Sequence, residues 1–296
     1  SWTNLGAGLN NTVSALAVGT NGELYAGGIF TNAGGILASN VARWNGSSWT
    51  NLGVGVNNSV YALSVGTNGD VYAGGSFTTA GGIGANRVAK WNGSSWTNLG
   101  VGMNNSVYAL TTGTNGDVYA GGLFITAGGI SARGIAQWDG SSWTNLGAGL
   151  RFIIIGPRSL AVGTSEELFA GGSITNAGGI TASNTAAWDG STWTNMGPGM
   201  SGPVAALTVD RNNRKLYAAG TFTTAGGITA SNVAWTYVLP YIPAATPATA
   251  ILPGGTLITI RGFNLCNGSD VTNVTLCGVP VTSIVSQSPT QVVVLC

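Results

Sequence analysis

The hexapeptide Ser48-Trp49-Thr50-Asn51-Leu52-Gly53 decides the fold of this chain because it recurs at a nearly constant interval. Further copies, the last in a variant form, occupy Ser1–Gly6, Ser95–Gly100, Ser142–Gly147 and Thr192–Gly197. The tryptophans of successive copies are 47, 47, 47 and 50 residues apart. A second series keeps this rhythm at Trp44, Trp91, Trp138, Trp188 and Trp235. Such a period indicates a repeat architecture, and five copies fill roughly residues 1–238.

Each copy is predicted to contain four short strands. In the second copy, Val60–Val65 and Val71–Gly74 flank the turn Thr67-Asn68-Gly69-Asp70, and strands at Arg87–Trp91 and Trp96–Leu99 follow. Asn-Gly between β-rich runs is a strong hairpin signal, because both residues tolerate positive φ. Four strands in about 47 residues are typical of a propeller blade. The sequence therefore predicts an all-β fold, a β-propeller with five blades.

The ends of the repeat region predict how the ring closes. The fifth copy stops after its third strand at Trp235, and Ser1–Gly6 has the sequence of the missing fourth strand. We expect a five-bladed ring closed by this N-terminal strand; the rival is a longer native chain with more blades. The chain starts inside a repeat, without an initiator Met or signal peptide, so a processed or partial product is expected.

The second copy also resembles a known family of repeats. Gly74-Gly75-Ser76-Phe77-Thr78-Thr79-Ala80-Gly81-Gly82, followed by Arg87-Val88-Ala89-Lys90-Trp91, is similar to kelch-like and cortical polarity-marker propeller repeats. The resemblance implies the propeller fold over most of the chain. It implies little about function, because propellers host many roles.

The composition changes after residue 238. Four prolines between Pro240 and Pro253 predict an extended, semi-rigid linker over residues 239–253. Beyond it, Gly254–Leu265, Val274–Pro280 and Ser288–Val294 resemble the IPT/TIG family. The resemblance implies an immunoglobulin-like β-sandwich at 254–296, truncated as given because the family continues for further strands. The predicted domains are therefore a propeller at 1–238, the linker, and a partial IPT/TIG domain.

All three cysteines, Cys266, Cys277 and Cys296, lie in this last predicted domain. The IPT/TIG resemblance implies a disulfide between Cys277 and Cys296. The competing pair is Cys266 with Cys277, and the sequence alone does not decide between them. Free buried thiols are the third alternative.

Asn-x-Ser/Thr motifs supply candidate N-glycosylation sites. They occur at Asn10, Asn45, Asn57, Asn92, Asn104, Asn267 and Asn273. The alternative is that Asn-Gly-Ser is simply a good turn. The motifs are concentrated in the early repeats, which predicts one glycan-coated side of the ring and one bare side.

The predicted bare side carries a candidate interface. The fourth repeat replaces the motif-bearing loop with a longer apolar segment that contains Phe152, Ile153, Ile154 and Ile155. Exposed apolar patches usually mark interfaces, so we expect this segment to pack on a neighbouring subunit or domain. The competing interpretation is a lengthened core strand.

The composition argues against catalysis. The chain has no His and only 6% charged residues, which rules out Ser-His-Asp catalysis and His-ligated metals. The turn carboxylates Glu23, Asp70, Asp117 and Glu167 fall on separate repeats. The adjacent Glu166 and Glu167 would point to opposite faces of a strand, so a paired-carboxylate hydrolase is not supported. No basic cluster suggests nucleic acid, and no apolar run approaches the ~20 residues of a membrane span. We predict a non-enzyme with no cofactor, no metal, no nucleic-acid partner and no membrane insertion in this segment.

Together these features predict an extracellular, cell-surface glycoprotein module with a structural or adhesive role. Its partners would be copies of itself or other extracellular proteins and glycans, as in the subunit of a filament, appendage or coat. The alternative is a lectin-like propeller that binds carbohydrate or protein.

Overall fold

The computed structural model describes residues 1–238, 257–261, 275–276, 279–280, 283–288 and 291–295. Throughout these residues the regular structure is β-strand, and none of them is helical. The all-β, five-blade propeller arrangement predicted from the sequence is confirmed, with five repeats at residues 7–53, 54–100, 101–147, 148–197 and 198–238.

The strands follow one plan in every repeat. Repeat 1 contains β1 Val13–Val18, β2 Leu24–Gly28, β3 Asn32–Ala33, β4 Ile36–Leu37, β5 Val41–Trp44 and β6 Trp49–Asn51. Repeat 2 contains β7 Val60–Val65, β8 Val71–Gly75, β9 Thr79–Ala80, β10 Ile83–Gly84, β11 Val88–Trp91 and β12 Trp96–Asn98. Repeat 3 contains β13 Val107–Thr112, β14 Val118–Gly122, β15 Thr126–Ala127, β16 Ile130–Ser131, β17 Ile135–Trp138 and β18 Trp143–Asn145.

The last two repeats depart slightly from this plan. Repeat 4 contains β19 Leu150–Val162, β20 Leu168–Ala177, β21 Ile180–Thr181, β22 Thr185–Trp188 and β23 Trp193–Asn195. Repeat 5 contains β24 Val204–Asp210, β25 Lys215–Gly220, β26 Thr224–Ala225, β27 Ile228–Thr229 and β28 Val233–Tyr237. The described C-terminal strands are β29 Leu257–Arg261, β30 Thr275–Leu276, β31 Val279–Pro280, β32 Ser283–Ser288 and β33 Gln291–Leu295.

In repeats 1 to 4, four antiparallel strands lie side by side in chain order, and a short hairpin is inserted between the second and the third. Glycine makes the tight turns possible: Gly22 joins the first two strands at φ 83°, and Gly46 joins the last two at φ 99°. Repeat 5 has a sheet of three strands, in the order β24-β25-β28. Near the C-terminus, β33 lies between β29 and β32.

Two contacts recur between neighbouring repeats. In the first, a second-strand glycine lies against the first strand of the next repeat; a Cβ atom added at Gly74 would come within 2.6 Å of Cγ1 of Val107. A glycine in a strand often marks such a close approach. In the second contact, the indole N–H of Trp96 donates to the carbonyl oxygen of Leu52 at 2.8 Å. Equivalent bonds join Trp143 to Leu99 and Trp193 to Leu146.

One part of the predicted closure is not seen. Residues 1–5 lie outside the strands, and the side chain of Trp2 is fully exposed. The first-strand residue Leu16 of repeat 1 is exposed, as is Val233 in repeat 5, whereas their counterparts in the middle repeats are covered. The N-terminal strand therefore does not complete repeat 5 in this structure.

Cα distances divide the chain into two compact parts, the first comprising Ser1–Val209 and Tyr217–Trp235. The predicted boundaries of the linker and of the last domain remain predictions, because most of residues 239–296 lie outside the described residues.

Candidate functional site

The first strands β1, β7, β13 and β19 lie next to one another in sequence order. Each has an unpaired residue at an equivalent register shift with the second strand, between Val60 and Ala62 for example, and β19 has further shifts between Arg151 and Pro157. This irregularity is a β-bulge, and bulges commonly re-aim a side chain near functional sites. The bulge residues of repeats 1 to 4 are Ser14, Tyr61, Tyr108 and Arg158.

Two of these bulge residues form an aromatic pair across neighbouring repeats. The ring centroids of Tyr61 and Tyr108 are 5.2 Å apart, with an interplanar angle of 38°. Both side chains are half-buried, so part of each ring remains open to solvent. Next along the row, at the same strand position of repeat 4, is the exposed Arg158. We call Tyr61, Tyr108 and Arg158 the bulge cluster.

Further along the same first strands, two hydroxyl groups join repeats 2 and 3. The hydroxyl groups of Ser64 and Thr112 share a hydrogen bond of 3.1 Å between repeats 2 and 3, and Thr112 also donates to the carbonyl oxygen of Val65. Aromatic rings and a guanidinium group at equivalent positions of neighbouring repeats suit the binding of a ligand that has both apolar and polar faces.

Sequence reasoning did not single out the bulge cluster. A signal was present, because the strand pattern Val-x-Ala-Leu keeps three positions in repeats 1 to 3 and changes x from Ser14 to Tyr61 and Tyr108. Repeat 4 places Arg158 there, in the variant Pro157-Arg158-Ser159-Leu160. That this position projects from a bulge is a property of the strand register, which the sequence does not reveal.

The carboxylates at the first hairpins are held by residues of their own repeats. Glu23 accepts hydrogen bonds from Asn21 Nδ2 at 2.8 Å and the Tyr25 hydroxyl at 3.2 Å, and it pairs with Arg43. Asp70 pairs with Lys90 at 3.0 Å. These partners give both acids a structural role in their hairpins.

In repeat 3 the equivalent hairpin carboxylate, Asp117, has an uncharged partner instead of a cation. Gln137 Nε2 donates to Asp117 Oδ2 at 2.7 Å. Burial, followed by the nearby carboxylates of Asp117 and Glu166, raises the pKa of Tyr119 to about 12. Glu166 is bonded across the repeat boundary to the hydroxyl of Thr114. A neutral tyrosine and carboxylates that are hydrogen-bonded to Gln137 and Thr114 do not form an acid–base pair. Among the described residues there is also no group of three potential metal ligands.

The structure places the candidate glycosylation sites in two settings. Asn10, Asn57 and Asn104 precede a first strand, and their Oδ1 atoms accept backbone N–H groups of the inserted hairpin. Asn45 and Asn92 are exposed and begin the last hairpin, where Oδ1 caps the turn. Glycosylation remains a prediction at all five, and Asn267 and Asn273 lie outside the described residues.

The apolar segment of repeat 4 is part of strand β19. Phe152 pairs with Ile174 in the register, and a Cβ atom added at Gly134 of repeat 3 would come within 2.9 Å of its ring. Ile153 is 77% exposed. The side chains of Ile154 and Ile155 lie outside the described residues, as do Cys266, Cys277 and Cys296, so the interface and both disulfide pairings remain predictions.

Comparison with known proteins identifies the C-terminal segment. Residues 240–296 match the model of the IPT/TIG domain family. This match and the strands above define the class of the chain, a five-blade β-propeller arrangement followed by an immunoglobulin-like IPT/TIG domain. No curated protein matches the chain.

Two solved structures similar to this chain are extracellular domains from B. thetaiotaomicron, one described as part of a one-component system and the other of a hybrid two-component system. Each is 12% identical, with a TM-score of 0.48, over 79% of this chain. This chain spans 28% of the length of those structures. No helix among the described residues has the length and apolarity needed to cross a membrane.

Proposed function

We propose that this chain is a non-enzymatic, extracellular adhesive module that binds carbohydrate, and that the bulge cluster of Tyr61, Tyr108 and Arg158 is its binding surface. The observation that carries the proposal is the placement of two paired tyrosines and an arginine at equivalent bulges of three consecutive repeats. This proposal specifies the binding surface of the lectin-like alternative, and it names carbohydrate as the ligand for the adhesive role.

The chemistry of the cluster favours an acidic glycan. Tyrosine rings bury the apolar face of a ligand at low entropic cost and keep a hydroxyl for hydrogen bonding. A guanidinium group recognises carboxylate through paired hydrogen bonds and is weakly hydrated. A sugar ring stacked on Tyr108 would direct a carboxylate substituent towards Arg158.

Several further features support a non-enzymatic extracellular role. The hairpin carboxylates are bound by structural partners, as described above, and the repeats contain exposed candidate glycosylation sites. The kelch-like type of the repeat is part of this proposal and rests on the sequence resemblance.

The test is a glycan array followed by calorimetric titration of the best glycan. We expect saturable binding to acidic glycans by the unaltered chain. Tyr108→Ala should weaken binding about tenfold, since an aromatic contact contributes up to about 1.5 kcal/mol, whereas Tyr108→Phe should retain most of the affinity. Arg158→Gln should weaken the binding of acidic glycans more than that of neutral ones.

The matched control is Arg133→Gln, which removes another exposed arginine, in a loop of repeat 3. It should bind as the unaltered chain does. No binding on the array, or equal affinities for Tyr108→Ala and the control, would contradict the proposal.

Self-assembly into a surface filament or coat is a second candidate, favoured by the exposed Ile153 on β19. Here we expect concentration-dependent assembly in light scattering that Ile153→Ser abolishes. Ile125→Ser, which replaces another exposed isoleucine, is the control. Assembly that is unchanged in the correctly folded Ile153→Ser variant would exclude this interface.

A further inference from the structure

We propose that the exposed first-strand face of repeat 1, formed by Val13, Leu16 and Val18, binds a further repeat of the same kind that carries glycine at the position of Gly27. Ser1–Gly6 would form the fourth strand of that repeat. This inference is independent of the proposed carbohydrate function.

The face is the same surface that the later repeats bury. Val60 and Leu63 are 0% and 9% exposed, because they pack on repeat 1, and the corresponding residues of repeats 3 and 5 are covered equally well. In repeat 1, by contrast, Val13 is 39% exposed and Leu16 is 62% exposed. An apolar strand face that is buried at every other boundary between repeats is a docking surface without its partner.

The boundary contacts define what the partner must look like. Gly74 and Gly171 leave room for Val107 and Val204, since an added Cβ atom would come within 2.6 and 2.7 Å of the valine Cγ1 atoms. Gly27 and Gly121 occupy the same position against Val60 and Pro157. A repeat that docks on Val13 in this way therefore needs glycine at this position.

Repeat 5 does not meet this requirement, because it has Ala219 at the equivalent position. The alignment is secure: the next residue, Gly220, lies against the backbone of Pro203 and Val204 as Gly28 lies against Thr12 and Val13. The Cβ atom of Ala219 would overlap Val13, in the same chain or in a second copy. Overpacking of this kind is destabilising, so neither repeat 5 of the same chain nor that of a partner copy fits the face.

Residues 5 and 6 already occupy the place of a preceding fourth strand. Trp49 Nε1 donates to the carbonyl oxygen of Leu5 at 2.9 Å, as Trp96 does to that of Leu52. Gly6 lies against Trp44 as Gly53 lies against Trp91. Trp2 is the counterpart of the buried Trp49, and a third strand of the further repeat would cover it.

The sequence permits a seamless test, because Ser95–Gly100 is identical to Ser1–Gly6. Fusing a copy of residues 54–94 directly before Ser1 rebuilds a complete repeat 2 next to repeat 1. Leu16→Cys then reports on the covered face through its rate of alkylation, followed by peptide mass spectrometry so that the native cysteines do not interfere. We expect labelling to slow at least tenfold in the fusion, and Trp2 fluorescence to shift to the blue.

The matched control is the same fusion with Gly74→Ala in the added copy only, which should leave Leu16→Cys reactive. A second fusion with residues 101–141, which also precede an identical hexapeptide, guards against a failure specific to one copy. Rapid labelling in both folded glycine fusions, or equal protection by the alanine control, would overturn the proposal.

The unfused chain provides a separate measurement. Its Leu16→Cys variant should label rapidly at every protein concentration. Slow labelling of the monomer would mean that repeat 5 already covers the face, and slow labelling only on dimerisation would mean that a second copy does; either result overturns the proposal.

Discussion

At the residue scale, the last hairpin of repeats 1 to 4 depends on a single side-chain oxygen that accepts two backbone N–H groups. Asn45 Oδ1 accepts the backbone N–H groups of Ser47 and Ser48 at 3.0 and 2.9 Å. Asp139 Oδ1 accepts those of Ser141 and Ser142, both at 2.8 Å. Asn and Asp favour turns for this reason, so the exchange of Asn for Asp between repeats preserves the turn and changes only its charge.

This exchange predicts a pH dependence. The backbone N–H of Ser142, followed by that of Ser141, lowers the pKa of Asp139 from 3.8 to about 2. Because the folded-state pKa is depressed, the stabilising contribution is complete above the unfolded-state pKa and is lost as the pH falls through about 2. Asp139→Asn keeps the acceptor oxygen and should remove this part of the pH dependence of the free energy of unfolding, measured in urea at several pH values. A carboxyl titration midpoint at or above 3.8 in the folded protein would contradict this prediction.

The two settings of the candidate glycosylation sites predict unequal occupancy. Asn57 uses both ends of its amide, since Oδ1 accepts from Thr78 and Thr79 while Nδ2 donates to the Thr78 hydroxyl at 3.0 Å. In Asn45 and Asn92 it is the Oδ1 atom that makes the turn. After secretion from a eukaryotic host, glycopeptide mass spectrometry should find Asn45 and Asn92 more fully occupied than Asn10 and Asn57. Higher occupancy at Asn57 than at Asn92 would show that the hydrogen bonds do not limit transfer.

At the element scale, a strand can be predicted from the sequence when its pattern recurs in the other repeats. The four strands of a blade could be predicted because tryptophans, Gly-Gly pairs and Asn-Gly turns recur in register with the hydrophobic alternation. The end of the series could not be predicted in this way. Trp235 follows Val233 by two residues, whereas Trp44 follows Val41 by three. Since side chains alternate along a strand, the side chain of Trp235 points to the face opposite to that of Trp44. The regular spacing of the tryptophans in the sequence does not reveal this difference.

The glycine contact between repeats predicts a specific cost. Gly74→Ala would place a Cβ atom 2.6 Å from Val107, and the overpacking should lower the free energy of unfolding by about 1–3 kcal/mol. Gly84→Ala, in the hairpin of the same repeat, meets nothing within 4 Å and should change it by less than about 0.5 kcal/mol.

A double-mutant cycle with Val107→Ala identifies the cause in denaturant unfolding experiments. Removing the valine side chain should relieve much of the cost of Gly74→Ala, giving a coupling of about 0.5 kcal/mol or more. Additive effects would mean that the two residues do not contact each other in this way.

At the scale of the whole molecule, the repeats interact mainly with their neighbours, through the glycine contacts and the tryptophan hydrogen bonds. The bulge residues vary between repeats while the glycine and tryptophan contacts that join the repeats recur. The repeat period predicted the scaffold from the sequence. The bulge cluster and the open face of repeat 1 depend on register and on contacts between repeats, so they required the structure.

The most direct test of the account is to locate the ligand on the propeller. In an NMR titration with the best glycan from the array, we predict saturable shifts of backbone amides around the bulges of β7, β13 and β19, while the hairpins at Asn45 and Asn92 stay unchanged. The Arg158→Gln variant should show smaller shifts at the same amides and a weaker affinity. Shifts confined to the outer hairpins or to the C-terminal strands, with the bulges unaffected, would contradict the assignment of the bulge cluster as the binding surface.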